Sequence, residues 1–134
     1  MTERLPDDHA VFTSLPDRME LPHLGFAGWR TWFVDTVALV CCAIGDHAVA
    51  IFYQTDVHHD GRWIDKSPRA MGSAACDAAM RFIITTGART VVDPFCGQGS
   101  ALAAANAHGL DAIGVELSKR RATKARSATH PGCT

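Results

Sequence analysis

The order of apolar runs in this chain predicts an α/β domain built on a parallel sheet. Three observations carry that expectation. Strand-length apolar runs alternate with longer segments of helical periodicity. The run Ala48–Tyr53 is continuously apolar, as strands covered on both faces are. The run Thr90–Phe95 breaks at a glycine turn that opens directly into an alanine-rich segment. A length of 134 residues suits one domain, 1–134, with a single core.

The elements follow in order. His9 to Ser14 is a short apolar strand, ended by Leu15-Pro16-Asp17, whose proline and aspartate favour a turn. Gly28 to Cys42 carries Trp29, Trp32, Phe33, Val37, Val40 and Cys41 near helical spacing, with both tryptophans expected to face the core. Ala48 to Tyr53 is the next strand. Ser67-Pro68 starts a helix, with Ser67 as N-cap and proline in the first turn. Met71, Ala74, Ala75, Ala78, Phe82 and Ile83 mark its apolar face, and Gly87 closes it. Thr90–Phe95 and Asp111–Leu117 follow as strands, each trailed by a helix, with Gly109 ending the first of these helices. Right-handed crossovers then place helices on both faces of the sheet.

Composition narrows the function classes. A formal net charge of −1 argues against a chain that grips nucleic acid by bulk charge. Lys119, Arg120, Arg121, Lys124 and Arg126 crowd the last helix, and such runs are read as a solvated face before a phosphate contact. No apolar run approaches the ~20 residues that cross a bilayer, and the start has no basic-then-apolar signal segment. Cys41, Cys42, Cys76, Cys96 and Cys133 are odd in number and form no Cys-x-x-Cys pair. They read as reduced thiols in a cytoplasmic protein without a metal site. Asp56, His58, His59 and Asp60 read as a polar loop, because adjacent histidines on extended backbone point apart. Trp63 is expected to pin its loop in preference to stacking on a base.

The densest chemical signal is Val91-Val92-Asp93-Pro94-Phe95-Cys96-Gly97-Gln98-Gly99-Ser100. A strand that stops at glycines lets backbone approach a ligand closely. The helix behind it offers unpaired N–H groups to a carboxylate or phosphate. Some twenty residues on, Gly114-Val115-Glu116-Leu117 ends the next run with a carboxylate suited to ribose hydroxyls. A dinucleotide fingerprint would want Gly or Ala where Leu102 stands, and a phosphate-cradling P-loop would want a lysine that the turn lacks. Cys96 needs only to be small there.

Asp93-Pro94-Phe95-Cys96-Gly97-Gln98-Gly99-Ser100 resembles the Asp-Pro-Phe-x-Gly-x-Gly-Thr/Ser motif of the S-adenosylmethionine (SAM)-dependent amino-methyltransferases of DNA and RNA bases. The resemblance covers about Thr90 to Leu117. It implies a Rossmann-like methyltransferase sheet, here reduced to about four parallel strands with helices on both faces. It implies SAM as cofactor, bound by Asp93, Pro94, Phe95, Gly97, Gly99 and Ser100, with Glu116 on the ribose.

Thr13-Ser14-Leu15-Pro16-Asp17 resembles the catalytic loop of the same enzymes, which places a polar residue, prolines and an aromatic beside the acceptor amine. Its place before the SAM motif resembles the permuted order of some members. Tyr53-Gln54-Thr55-Asp56 and Gly61-Arg62-Trp63-Ile64-Asp65-Lys66 resemble segments of bacterial methyltransferases that also carry Ser-Leu-Pro-Asp. The implied strand order is Ala48 strand, His9 strand, Thr90 strand, Asp111 strand, with donor and acceptor meeting between the middle two. Ser14, Pro16 and Asp17 are the implied catalytic residues. They act by positioning, since an exocyclic amine is a poor nucleophile whose lone pair must be aimed. Leu15 replaces a proline, and Asp17 stands where an aromatic would stack on a flipped base. Asp17 then serves as a proton acceptor, as a hydrogen-bonding group for another substrate, or as an ordinary turn residue.

In that family a long segment separates Trp-x-Asp-Lys from the helix before the SAM motif. Here Asp65-Lys66 meets Ser67-Pro68 at once. The outer strand Ala48–Tyr53 would then be apolar and uncovered, so pairing through this edge with a second copy or another subunit is expected. Two function classes result: methyl transfer to an exocyclic amine of a nucleic-acid base, or a partner-dependent or non-catalytic SAM-binding remnant. Dinucleotide oxidoreduction is the further enzyme alternative.

Overall fold

Four of the apolar runs become strands of one parallel sheet. The computed structural model describes residues 4–54 and 68–129. The strands are β1 (His9–Thr13), β2 (Ala50–Phe52), β3 (Thr90–Asp93) and β4 (Asp111–Gly114). Their order across the sheet is β2-β1-β3-β4, all parallel, as the resemblance implied. Val11 lies opposite Ala50 on one side and Val92 on the other, and Val92 opposite Ile113. Bonds from Val11 N–H to the Val49 carbonyl and from Tyr53 N–H to the Thr13 carbonyl extend the β1–β2 ladder toward the limits of the apolar run.

Helices fill the connections: α1 (Gly25–Ala43), α2 (Pro68–Thr85), α3 (Ser100–Ala107) and α4 (Lys119–Arg126). Strand alternation sorts the sheet residues by face. Ala10, Phe12 and Val91 pack under α2 and α3, against Cys76, Ala79, Met80, Ile83, Ala101, Ala104 and Ala105. The alanines of α3 let its backbone approach the sheet closely, while Met80 and Ile83 fill the wider gap. Burying each of these larger side chains is worth about 1.5–3 kcal/mol.

The apolar face of α2 is not the one that the spacing suggested. Ala74 and Ala78 are exposed and Phe82 is more than half exposed, whereas Cys76, Ala79, Met80 and Ile83 face the core. Ile83 belongs to both stripes. A helix that is apolar nearly all round offers two neighbouring stripes at the right spacing, and packing against the sheet selects one.

The opposite face is thinly covered. Val11 is buried there, but Ile113 is 48 % exposed, Val115 51 % and Leu117 98 %. Helix α1, the crossover between β1 and β2, contributes no fully buried residue, and Phe26, Val34 and Leu39 lie open. Trp29 and Trp32 are half-buried and meet the loops after β1 and β3, because the first half of α1 runs beside those loops. Strand β2 stands at one edge of the sheet with Ala50, Ile51 and Phe52 half-buried, and β4 at the other edge is the barer strand.

Ser67, the Asp56–Asp60 loop, Trp63 and Cys133 lie outside the described residues. Among the described ones, no helix is long and apolar enough to cross a membrane, no group of side chains is suited to a metal ion, and Cys41, Cys42, Cys76 and Cys96 are free thiols.

Candidate functional site

The carboxyl ends of β1, β3 and β4 bring the sequence-predicted residues together. Asp93 is the last residue of β3 and is buried. Its Oδ1 accepts from the Thr13 hydroxyl at 2.6 Å and from the Phe95 N–H at 3.0 Å. Burial pushes its carboxyl up from the usual range, while these two donors pull it back. Its second oxygen has no partner among the described residues and remains an acceptor.

The turn behind Asp93 is built by backbone. Gly99 N–H donates to the Cys96 carbonyl at 2.8 Å, closing a tight loop before α3. Gly97 and Gly99 both have positive φ, 54° and 85°. At Gly99 glycine is also required by contact: a Cβ there would stand 2.8 Å from the Cα and Cβ of Ala125. Helix α4 therefore lies flush against the turn. Among the described residues nothing comes closer than 4.0 Å to a Cβ position at Gly97. Ser100 begins α3, where N–H groups are free to meet an anion.

The end of β4 is stitched to the same turn. Val115 N–H donates to the Asp93 carbonyl at 3.0 Å, and Cys96 N–H to the Val115 carbonyl at 3.1 Å. Glu116 follows immediately. It is half-buried, and its Oε1 accepts from the Ser118 N–H at 2.7 Å. Burial first, then the Asp93 and Glu116 carboxylates, push the Cys96 thiol up. A raised thiol pKa beside two acids holds Cys96 in its neutral form, which disfavours a nucleophilic role. The two acids give this end of the sheet a field suited to a cation.

The loop after β1 is held by side chains from elsewhere. Gln54 Oε1 accepts from the Leu15 N–H at 2.9 Å and from the Ser14 hydroxyl at 3.4 Å, while its Nε2 donates to the Leu15 carbonyl at 3.3 Å. One amide thereby imitates a strand neighbour just past the end of β2. Trp29 Nε1 donates to the Pro16 carbonyl at 3.1 Å. Trp32 meets the Phe95 ring edge-on at 6.0 Å, so α1 touches both loops. Asp17 is engaged in its own turn: Oδ1 accepts from Met19 N–H at 2.7 Å and Glu20 N–H at 3.1 Å, and its N–H donates to Glu20 Oε2. This is the turn chemistry of an Asx motif. Ser14 is exposed, Leu15 buried, Pro16 and Asp17 half-buried.

Sequence reasoning missed four contributors. Thr13 ties the two loops, and its signal was only its position at a strand end. Gln54 stood in a segment noted for resemblance, without a role. Trp29 and Trp32 were placed in the core. Comparison with family models, curated proteins and solved structures matches this chain to none of them.

Proposed function

We propose that this chain is a cytoplasmic SAM-dependent methyltransferase that modifies an exocyclic amine of a nucleic-acid base. The observation that carries the reading is the Thr13–Asp93 hydrogen bond of 2.6 Å. It joins the loop expected to hold the acceptor to the carboxylate expected to hold the cofactor, at the place in the sheet where the strand order reverses.

The residues present fit the cofactor. The free oxygen of Asp93 would take its amino group. The Gly97–Gly99 turn, with Pro94, Phe95 and Ser100, would lie along its amino-acid end, and Glu116 would use its remaining oxygen for the ribose hydroxyls. When bound, SAM supplies an electrophilic methyl group on a positively charged sulfur.

The chain's own part is to position the acceptor. Ser14 is exposed and donates its hydroxyl proton to Gln54, so its lone pairs would be left to accept from an amine. The Pro16 region forms the wall of the acceptor side and is fixed by Trp29. Asp17 keeps Oδ2 as an acceptor for the proton that the amine sheds. Each contribution is orientation and electrostatics in a half-buried setting.

A second reading is favoured by the bare apolar surface at β4 and α1: a SAM-binding module that transfers methyl only with a partner, or not at all. A second copy or another subunit pairing along the Ala48–Tyr53 edge belongs to the same reading. Calorimetry with SAM, followed by a tritiated-methyl assay on mixed DNA and RNA, separates the two. Binding with transfer supports the enzyme, and binding without transfer supports the module. Absence of binding sinks both, and tight NADH binding in its place would point to oxidoreduction.

A further inference from the structure

We infer that the outer arc of α4 is a phosphate-binding face that grips the nucleic-acid backbone. Helix α4 has the sequence Lys-Arg-Arg-Ala-Thr-Lys-Ala-Arg, and from Leu117 to the end the chain has no acidic residue. Ala122 and Ala125 are its half-buried side, with Ala125 against the Gly99 turn. Helical spacing stacks Arg120 and Lys124 one above the other on the outer arc, with Arg121 at its margin one turn before Ala125, and all three are exposed.

A solvated helix face normally interleaves both signs. Here no cation of α4 has an acidic partner among the described residues. Arg120 and Lys124 stand one turn apart, where like charges repel. Lys119, Arg120 and Arg121 occupy the first turn, where the helix dipole disfavours cations. Ser118 caps this turn only through a 3.4 Å bond to the Arg121 N–H. The helix therefore carries uncompensated positive charge where its own structure tolerates it least, a few residues past Glu116. A row of phosphates supplies the missing countercharge. An anionic bilayer fits less well, because α4 itself carries no large apolar side chain for insertion beside its cations.

The choice of nucleic acid rests on the acceptor class proposed above, but the grip itself requires no SAM. The test is fluorescence anisotropy of the full chain with a short mixed-sequence duplex DNA and a single-stranded RNA, across a salt series. The variant is R120Q/R121Q/K124Q. Glutamine is a good helix former, and losing the repulsion should leave circular dichroism and Tm unchanged or higher. We expect affinity for at least one of the two probes to fall at least about tenfold at low salt, and the salt slope to become shallower by about 2 to 3. The control R81Q/R89Q removes exposed charge elsewhere and should leave both unchanged. Equal losses in the two variants, an unaltered triple variant, no binding of either probe, or preference for anionic vesicles would overturn the proposal. Binding of nucleic acid together with failure to bind SAM would overturn the methyltransferase reading alone.

Discussion

The loop after β3 and the loop after β1 spring from strand ends joined by the Thr13–Asp93 hydrogen bond, yet they are built differently. The first is fixed by main chain: Gly99 to Cys96, Cys96 to Val115, Val115 to Asp93. The second is fixed by side chains that arrive from α1 and from beyond β2, Trp29 and Gln54. Backbone stitching demands glycines at set places and tolerates little change. Side-chain clamping can be altered one residue at a time. Such a division suits a site that binds one constant ligand on one side and adapts to a variable one on the other.

The sharpest way to break this comparison is Gly99→Ala. A Cβ there overlaps the Ala125 backbone and sits on a left-handed φ. Stability should fall by about 2–5 kcal/mol in urea unfolding. A loss below about 1 kcal/mol would mean that α4 simply slides aside and that the β3 loop is no stiffer than its neighbour.

Asp93→Asn comes next. The amide keeps an acceptor for Thr13 and Phe95, so the fold should persist, while SAM affinity should drop by about 1.5–3 kcal/mol, tenfold or more, by calorimetry. The pH dependence has a definite sign. Burial raises the folded-state pKa of Asp93, so the folded protein binds this proton more tightly than the unfolded chain does. This carboxyl therefore makes stability decline as pH rises from its ordinary pKa to the raised one, and contributes no slope outside that window. The asparagine variant should lose this segment of the curve and be more stable at neutral pH. SAM affinity of the parent chain should weaken as pH falls through the raised value. A pH-independent affinity would remove Asp93 from the cofactor's contacts.

Gln54→Leu probes the other loop. It leaves the Leu15 N–H without its partner, at a cost of about 1–3 kcal/mol. Methyl transfer should suffer while SAM affinity stays level. Equal damage to both would show that the two loops act as one body. Trp29→Phe is the gentlest test, losing one bond to the Pro16 carbonyl and about 1 kcal/mol. Its trace should appear in the acceptor's KM before kcat, read from transfer assays at varied acceptor concentration.

Legibility in the sequence followed the same division. The β3 turn announced itself because its construction is local: Asp93, Gly97 and Gly99 lie within seven residues, and Glu116 follows after one helix. The strands were visible as apolar runs, and the parallel sheet followed from their alternation with helices. The Gln54 clamp was not visible, since nothing in a glutamine 39 residues downstream says that its amide will face Leu15. The α2 face was misread because Ala74, Ala78 and Phe82 are as apolar as the stripe that packs. Trp29 and Trp32 were misplaced because spacing reveals a helix but not which loop passes beside it.

The central position of β1 bears on how the chain reaches its folded form. Thr13 and Asp93 are 80 residues apart, with α1, β2 and α2 between them. During synthesis, β1 leaves the ribosome well before β3 can flank it, so the apolar Ala10–Phe12 must wait beside β2 alone. Closure over so long an interval is slow and exposes sticky intermediates. Refolding yield should therefore depend steeply on protein concentration.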